Sequence, residues 1–85
     1  GHANRIGYDS AQFIRELGAR LRHVHLSDND GTCDLHGHIG TGTIDFGAIF
    51  AELKKLGYNG TALVEIIARS EEEMIDNARL LQPYM

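Results

Sequence analysis

A chain of 85 residues has room for one small domain and a modest core. Its net charge of -4, with eight Lys and Arg scattered from Arg5 to Arg79, argues against a phosphate-gripping surface, since nucleic-acid affinity rests largely on those cations. The single cysteine, Cys33, excludes an internal disulfide framework; no signal-peptide pattern or apolar run of about 18 residues appears, so a cytoplasmic protein without a membrane partner is expected.

In chain order, residues 1–8 are short and polar, with no periodicity to specify an element. Asp9 reads as an N-cap with Gln12 three residues on, so the spacing of Phe13, Ile14 and Leu17 predicts a helix over 10–17, stopped by Gly18. Residues 19–26 read as a strand, and 27–42 as a long loop holding Gly31, Gly37, Gly40 and Gly42. Sixteen residues of loop in so small a domain point to function. The glycines make no phosphate loop, because no Lys follows them. The run Asp28-Asn29-Asp30-Gly31 fails as a calcium loop: Leu26 stands where the first aspartate belongs, and no Glu closes it.

Asp45 then caps a helix over 45–56. Its stripe of Phe46, Ile49, Phe50, Leu53 and Leu56 has the 3.6-residue period of one buried face, and Gly57 ends it. Residues 61–67 form an apolar strand interrupted by Glu65. Ser70 and Glu73 make a capping box for a third helix, with Met74, Ala78 and Leu81 on one face up to Pro83. Strands alternating with helices imply parallel pairing through crossovers, an α/β class with two parallel strands and three helices in a single unit over 1–85. The stripe of the 45–56 helix should pack on Val24, Leu26, Val64 and Ile66, leaving Leu21, His23, His25, Leu63, Glu65 and Ile67 on the opposite face.

The chemistry gathers in residues 23–38, which hold four of the five histidines. His23 and His25 share one strand face, and Asp34 and His36 follow after a loop long enough to fold back over the strand end. Imidazoles and carboxylates in that arrangement suit a borderline divalent metal; solvated loop histidines and a hydrogen-bonded strand pair are the plainer reading. Cys33 reads as an incidental small residue. Glu65 needs a partner to survive in an apolar strand, because a buried unpaired carboxylate costs several kcal/mol or is protonated. Arg69 is one such partner, and a metal is another. In parallel α/β sheets ligands collect at the carboxyl ends of strands, where His25, Glu65 and the Asp34/His36 loop all fall.

The runs HxHxSD (23–28), DxH (34–36), GxGxID (40–45), LxxxGYxG (53–60) and LxEI (63–66) resemble the C-terminal part of the xylose-isomerase-like TIM-barrel superfamily. That group includes sugar phosphate isomerases/epimerases and the endonuclease IV type of apurinic-site nuclease. By this resemblance His25 is a metal-binding strand histidine, and Glu65 is a metal ligand and acid/base. Asp34 and His36 are the pair that holds a further zinc in the nuclease branch, and His2 is the histidine of a D-x-x-H segment. An epimerase-type arginine after the histidine strand is absent, with Gly31 and Thr32 in that region. A whole barrel needs about 250 residues, so the chain is expected to be a partial (β/α) barrel whose open sheet edges favour a homo-oligomer.

The resemblance implies a sugar or sugar phosphate isomerase/epimerase. Such an enzyme binds a small-molecule substrate with the help of a divalent metal (Zn or Mn first, with Mg, Co or Fe as others). Glu65 would move the proton through an enediolate and His23 would contact substrate. One alternative is a zinc-dependent endonuclease IV-like phosphodiesterase, the one reading with a nucleic-acid partner. Another is that the 85-residue chain alone is an inactive, assembling piece of a barrel.

Overall fold

Three of the four α-helices start on a side chain that takes up free amides of the first turn. The computed structural model describes residues 1–85. In it α1 (His2–Arg5) is a single uncapped turn. Helix α2 (Ser10–Leu17) is capped by Asp9, whose carboxylate accepts from Ala11 N at 2.9 Å and Gln12 N at 3.3 Å. Asp45 caps α3 (Phe46–Lys55) through Ala48 N at 2.9 Å, and Ser70 caps α4 (Glu71–Leu81) through Glu73 N at 3.3 Å. Each such cap contributes about 1 kcal/mol. Gly18 and Gly57 follow α2 and the last turn of α3 at φ 53° and 64°, a region that glycine enters without steric cost. Short 3-10 turns cover Gly18–Arg20 and Gln82–Tyr84.

Strands β1 (His23–Leu26) and β2 (Thr61–Val64) form a two-stranded parallel sheet, pairing His23 with Thr61, Val24 with Ala62, His25 with Leu63 and Leu26 with Val64. Both are shorter than the patterns over 19–26 and 61–67. A ladder ends where either partner turns away: Gly18 sends residues 18–20 into a 3-10 turn, and beyond Leu26 the chain turns into the loop. Glu65 N still reaches Leu26 O at 2.9 Å, just past the last pair. The helix count is four rather than three because α1 forms in the polar start; a single turn has no apolar period to announce it.

The core lies between the sheet and α3. Leu26, with Val24 and Val64 at its edge, packs on Phe46, Ile49, Phe50 and Leu53; Ile14, Ile39 and Leu81 close the cluster. Ile66, expected in that contact, is only partly buried and lies outside it. Leu21 also departs from expectation. It precedes β1, so the strand alternation does not reach it, and it packs on the core rather than joining the histidine face. Phe13 is 44% exposed and meets Tyr8 edge-on, while Leu56, the C-cap of α3, is 39% exposed. On α4 the buried stripe runs through Asn77 and Leu81, with Ala78 exposed.

Helix α3 brings a charge into this packing. Glu52 of α3 accepts from Arg15 Nη1 at 2.9 Å and Lys55 Nζ at 3.4 Å. The Arg15 hydrogen bond, more than that of Lys55, holds its carboxyl below the usual carboxylate range.

Candidate functional site

The register turns His23, His25 and Leu63 to the sheet face away from α3. Here the imidazoles meet edge-on, with ring centroids 4.6 Å apart and Nε2 to Nε2 at 2.7 Å. His23 Nδ1 is hydrogen-bonded to Thr61 Oγ1 across the ladder, and His25 Nδ1 to Glu65 Oε2. Glu65 therefore sits at the carboxyl end of β2 beside the histidine of β1. Its other oxygen lies 3.8 Å from His36 Nδ1. Beyond that ring, Asp34 Oδ2 stands 4.0 Å from His36 Nε2 and 3.3 Å from His2 Nδ1.

The six side chains form one continuous row from His23 through His25, Glu65, His36 and Asp34 to His2. Arg69, the alternative partner for Glu65, is engaged elsewhere: its guanidinium and its backbone N–H both donate to Glu73. These bonds hold the Glu73 carboxyl below the usual range, the backbone one foremost. His38 leaves the row for α4, where it lies 3.8 Å from Glu73 and 3.3 Å from the Ile67 carbonyl. Glu65 is also less enclosed than a mid-strand position implies, at 44% side-chain exposure, because the strand has ended before it.

The loop that carries Asp34 and His36 is folded around two buried polar residues, Asp28 and Asn29. Asp28 has no exposed surface. An antiparallel bridge joins it to Gly37, with N–H to carbonyl distances of 3.0 and 2.8 Å. Asn29 Oδ1 accepts from Asn4 Nδ2 at 2.7 Å and Gly31 N at 3.0 Å, and its Nδ2 donates to the Gly1 carbonyl at 2.7 Å. His36, the member of the row that precedes Gly37, is the one non-glycine residue at positive φ, 46°. That conformation costs on the order of 1–3 kcal/mol and persists only where surrounding bonds over-determine it. In the sequence Asp28 and Asn29 stand out only as part of the rejected calcium loop; the signal for Asp28 is the SD that closes HxHxSD, Ser27 and Asp28, polar residues placed where a strand runs into the core.

Imidazole nitrogens and carboxylate oxygens are the donors that borderline divalent ions take. Two donors about 2.1 Å from one ion at tetrahedral angles lie about 3.4 Å apart, close to the 3.3 Å of His2 and Asp34 and below the 3.8 Å of His36 and Glu65. The donor set fits such an ion in chemistry. The side chains nevertheless contact one another in pairs, and no three of them converge as a ready ligand group.

Comparison with known proteins places the chain. The family model described as xylose isomerase-like TIM barrel matches residues 1–84. An uncharacterised protein of Methanocaldococcus jannaschii is 34% identical over 88 aligned residues, covering 100% of this chain and 29% of that protein. Fructoselysine 3-epimerase of Shigella flexneri is 33% identical over 55 residues (65% of this chain, 20% of the epimerase). Inosose dehydratase of Geobacillus kaustophilus is 34% identical over 82 residues (76% and 27%). A solved structure described as a D-tagatose 3-epimerase-like protein superposes with a TM-score of 0.86 at 31% identity, over 98% of this chain and 31% of that one. The chain thus spans less than a third of the relatives it matches. Its helices and parallel pair are those of a barrel segment, and by sequence and by shape this chain belongs to the xylose isomerase-like TIM-barrel family.

Proposed function

We propose that residues 1–85 supply one side of the active site of a sugar isomerase or epimerase, as the C-terminal portion of a (β/α) barrel. The observation that carries this is Glu65, a carboxylate at a strand end flanked by His25 and His36. Similarity to 3-epimerases supports the substrate class, a small sugar or sugar phosphate. A divalent ion, when bound, would polarise adjacent substrate oxygens, and His25, Glu65, Asp34, His36 and His2 are the residues that would hold it, His25 by giving up the contact of its Nε2 with His23. Glu65 takes the proton from the carbon beside the carbonyl, leaving an enediolate. His25 holds the carboxylate in place through Nδ1, and His23 holds His25 through Nε2. His23 thus acts on its neighbour, in addition to any contact with substrate. An epimerisation returns the proton to the opposite face of the carbon, which one carboxylate cannot reach. A second acid is therefore required, and turnover belongs to the barrel rather than to this segment alone.

The test is proton exchange in D2O, followed by NMR at the carbon adjacent to the carbonyl of a ketose, with the protein embedded in its barrel. Glu65→Gln should slow exchange by about 10²–10⁴-fold with substrate binding retained. Equal exchange in the variant would remove Glu65 from the reaction. The relatedness of inosose dehydratase fits the same first step, because loss of water beside a carbonyl also begins by removing that proton. The phosphodiesterase reading uses the His2, Asp34 and His36 end of the row. It has less support here, with a chain charge of -4 and similarity to sugar enzymes rather than nucleases.

A further inference from the structure

We propose that Asp28 is the positioning residue for His36: it closes the loop so that the His36 ring is held between Glu65 and Asp34. The inference rests on the reading of His36 as a site residue. Asp28 Oδ1 accepts from Asn29 N at 2.9 Å and Ile44 N at 3.2 Å, while Oδ2 accepts from Gly40 N at 2.9 Å and Gly42 N at 3.0 Å. Its main chain bonds Gly37 in both directions, directly beside His36. Ile67 N donates to the His36 carbonyl at 3.1 Å from the other side. His36 is thus pinned at positive φ by Asp28 through one neighbour and by the chain after β2 through its own carbonyl.

The glycines show how closely the loop approaches Asp28. A Cβ at Gly37 would stand 2.8 Å from the Asp28 carbonyl oxygen. At Gly42 it would stand 2.5 Å from Asp28 Oδ1 and 2.2 Å from the Asn29 carbonyl oxygen. Only a carboxylate serves the four amides, two on each oxygen. An asparagine presents one oxygen and one NH2 group, so two amides lose their acceptor whichever way it is turned.

The experiment compares the 15N-labelled chain with Asp28→Asn and Gly42→Ala. The readouts are amide exchange, long-range ring 1H–15N spectra of the histidines, and titration with Co2+ alone. In Asp28→Asn, exchange at Gly40, Gly42 and Ile44 should quicken by roughly tenfold or more. The His36 ring signals should move while those of the β1–β2 ladder stay. Where Co2+ binds the wild type, its affinity should fall about 10–100-fold. Gly42→Ala, which keeps the carboxylate and only pushes the loop away from it, should reproduce the pattern. An unmoved His36 ring in a folded Asp28→Asn would overturn the assignment. Loss of the ladder signals together with the loop in both variants would overturn it too, leaving Asp28 a general structural residue. If His36 moves as expected but the wild type takes up no Co2+, the positioning role stands and the metal reading falls.

Discussion

Thr61 stands directly across the parallel ladder from His23, and the two are hydrogen-bonded through Oγ1 and Nδ1. With neutral rings this contact has only one consistent direction. The Glu65 carboxylate can only accept, so His25 donates from Nδ1 and its Nε2 is the acceptor. His23 must then donate from Nε2, which leaves its Nδ1 to accept from the Thr61 hydroxyl. The Glu65 carboxylate thereby sets the tautomer of a ring two hydrogen bonds away, and the Thr61 hydroxyl supplies the donor that this tautomer needs.

Thr61→Val tests this column, since valine keeps the β-branched shape that suits a strand and removes only the donor. The ring 15N shifts of His23 should move toward a mixture of tautomers. Unchanged ring shifts would show that the Thr61 hydroxyl does not help to hold this tautomer.

What was legible in the sequence was the part governed by local period. The stripe Phe46, Ile49, Phe50 and Leu53 is written at helical spacing, and the Asp9, Asp45 and Ser70 caps are written as single residues before it or its counterparts. Glu65 was visible as a charge where an apolar residue belonged. The buried carboxylate of Asp28 was not, because three of its four amides come from residues 12, 14 and 16 positions away and carry no side-chain signature. The positive φ of His36 was hidden for a related reason. It is imposed by Gly37 and Ile67, through bonds that exist only once the loop has closed.

Glu52 gives the fold a pH dependence whose sign follows from its partners. Its carboxyl is held below the ordinary value of 4.5, mainly by Arg15. The stabilisation is present in full above that value and is lost as pH falls through the lowered folded-state pKa. Protonated Glu52 resembles glutamine. The wild type should therefore melt above Glu52→Gln at pH 7, and the gap should close as the melts are repeated below pH 4.5. A gap that stays constant into acid would mean that the Arg15 contact contributes no charge-dependent stability.

The last expectation concerns assembly. The sheet consists of β1 and β2 alone, so the outer edge of each strand presents unpaired amides and carbonyls. On the face that carries the histidines Leu63 is 50% exposed; past the end of β2 Ile67 is 74% exposed, and Leu35 on the loop is 57% exposed. Beside β1 an apolar groove runs between Phe13, Leu17, Leu21 and Ile49. Helix α3 covers the opposite face, and Leu63, Ile67 and Leu35 stay uncovered. Apolar area removed from water stabilises association by about 25 cal/mol per Å², and strand pairing across an open edge adds backbone hydrogen bonds. Together these favour a dimer or larger assembly of the 85-residue chain over a wet inner face. Sedimentation velocity across a dilution series measures this directly, because the average mass should fall only as the chain is diluted. Restoring the remaining barrel segments in trans should compete with self-association, since both use the same edges. A folded monomer that persists from high concentration down to about micromolar, where interfaces of about −8 kcal/mol dissociate, would show that the open edges and the exposed leucines are tolerated in water.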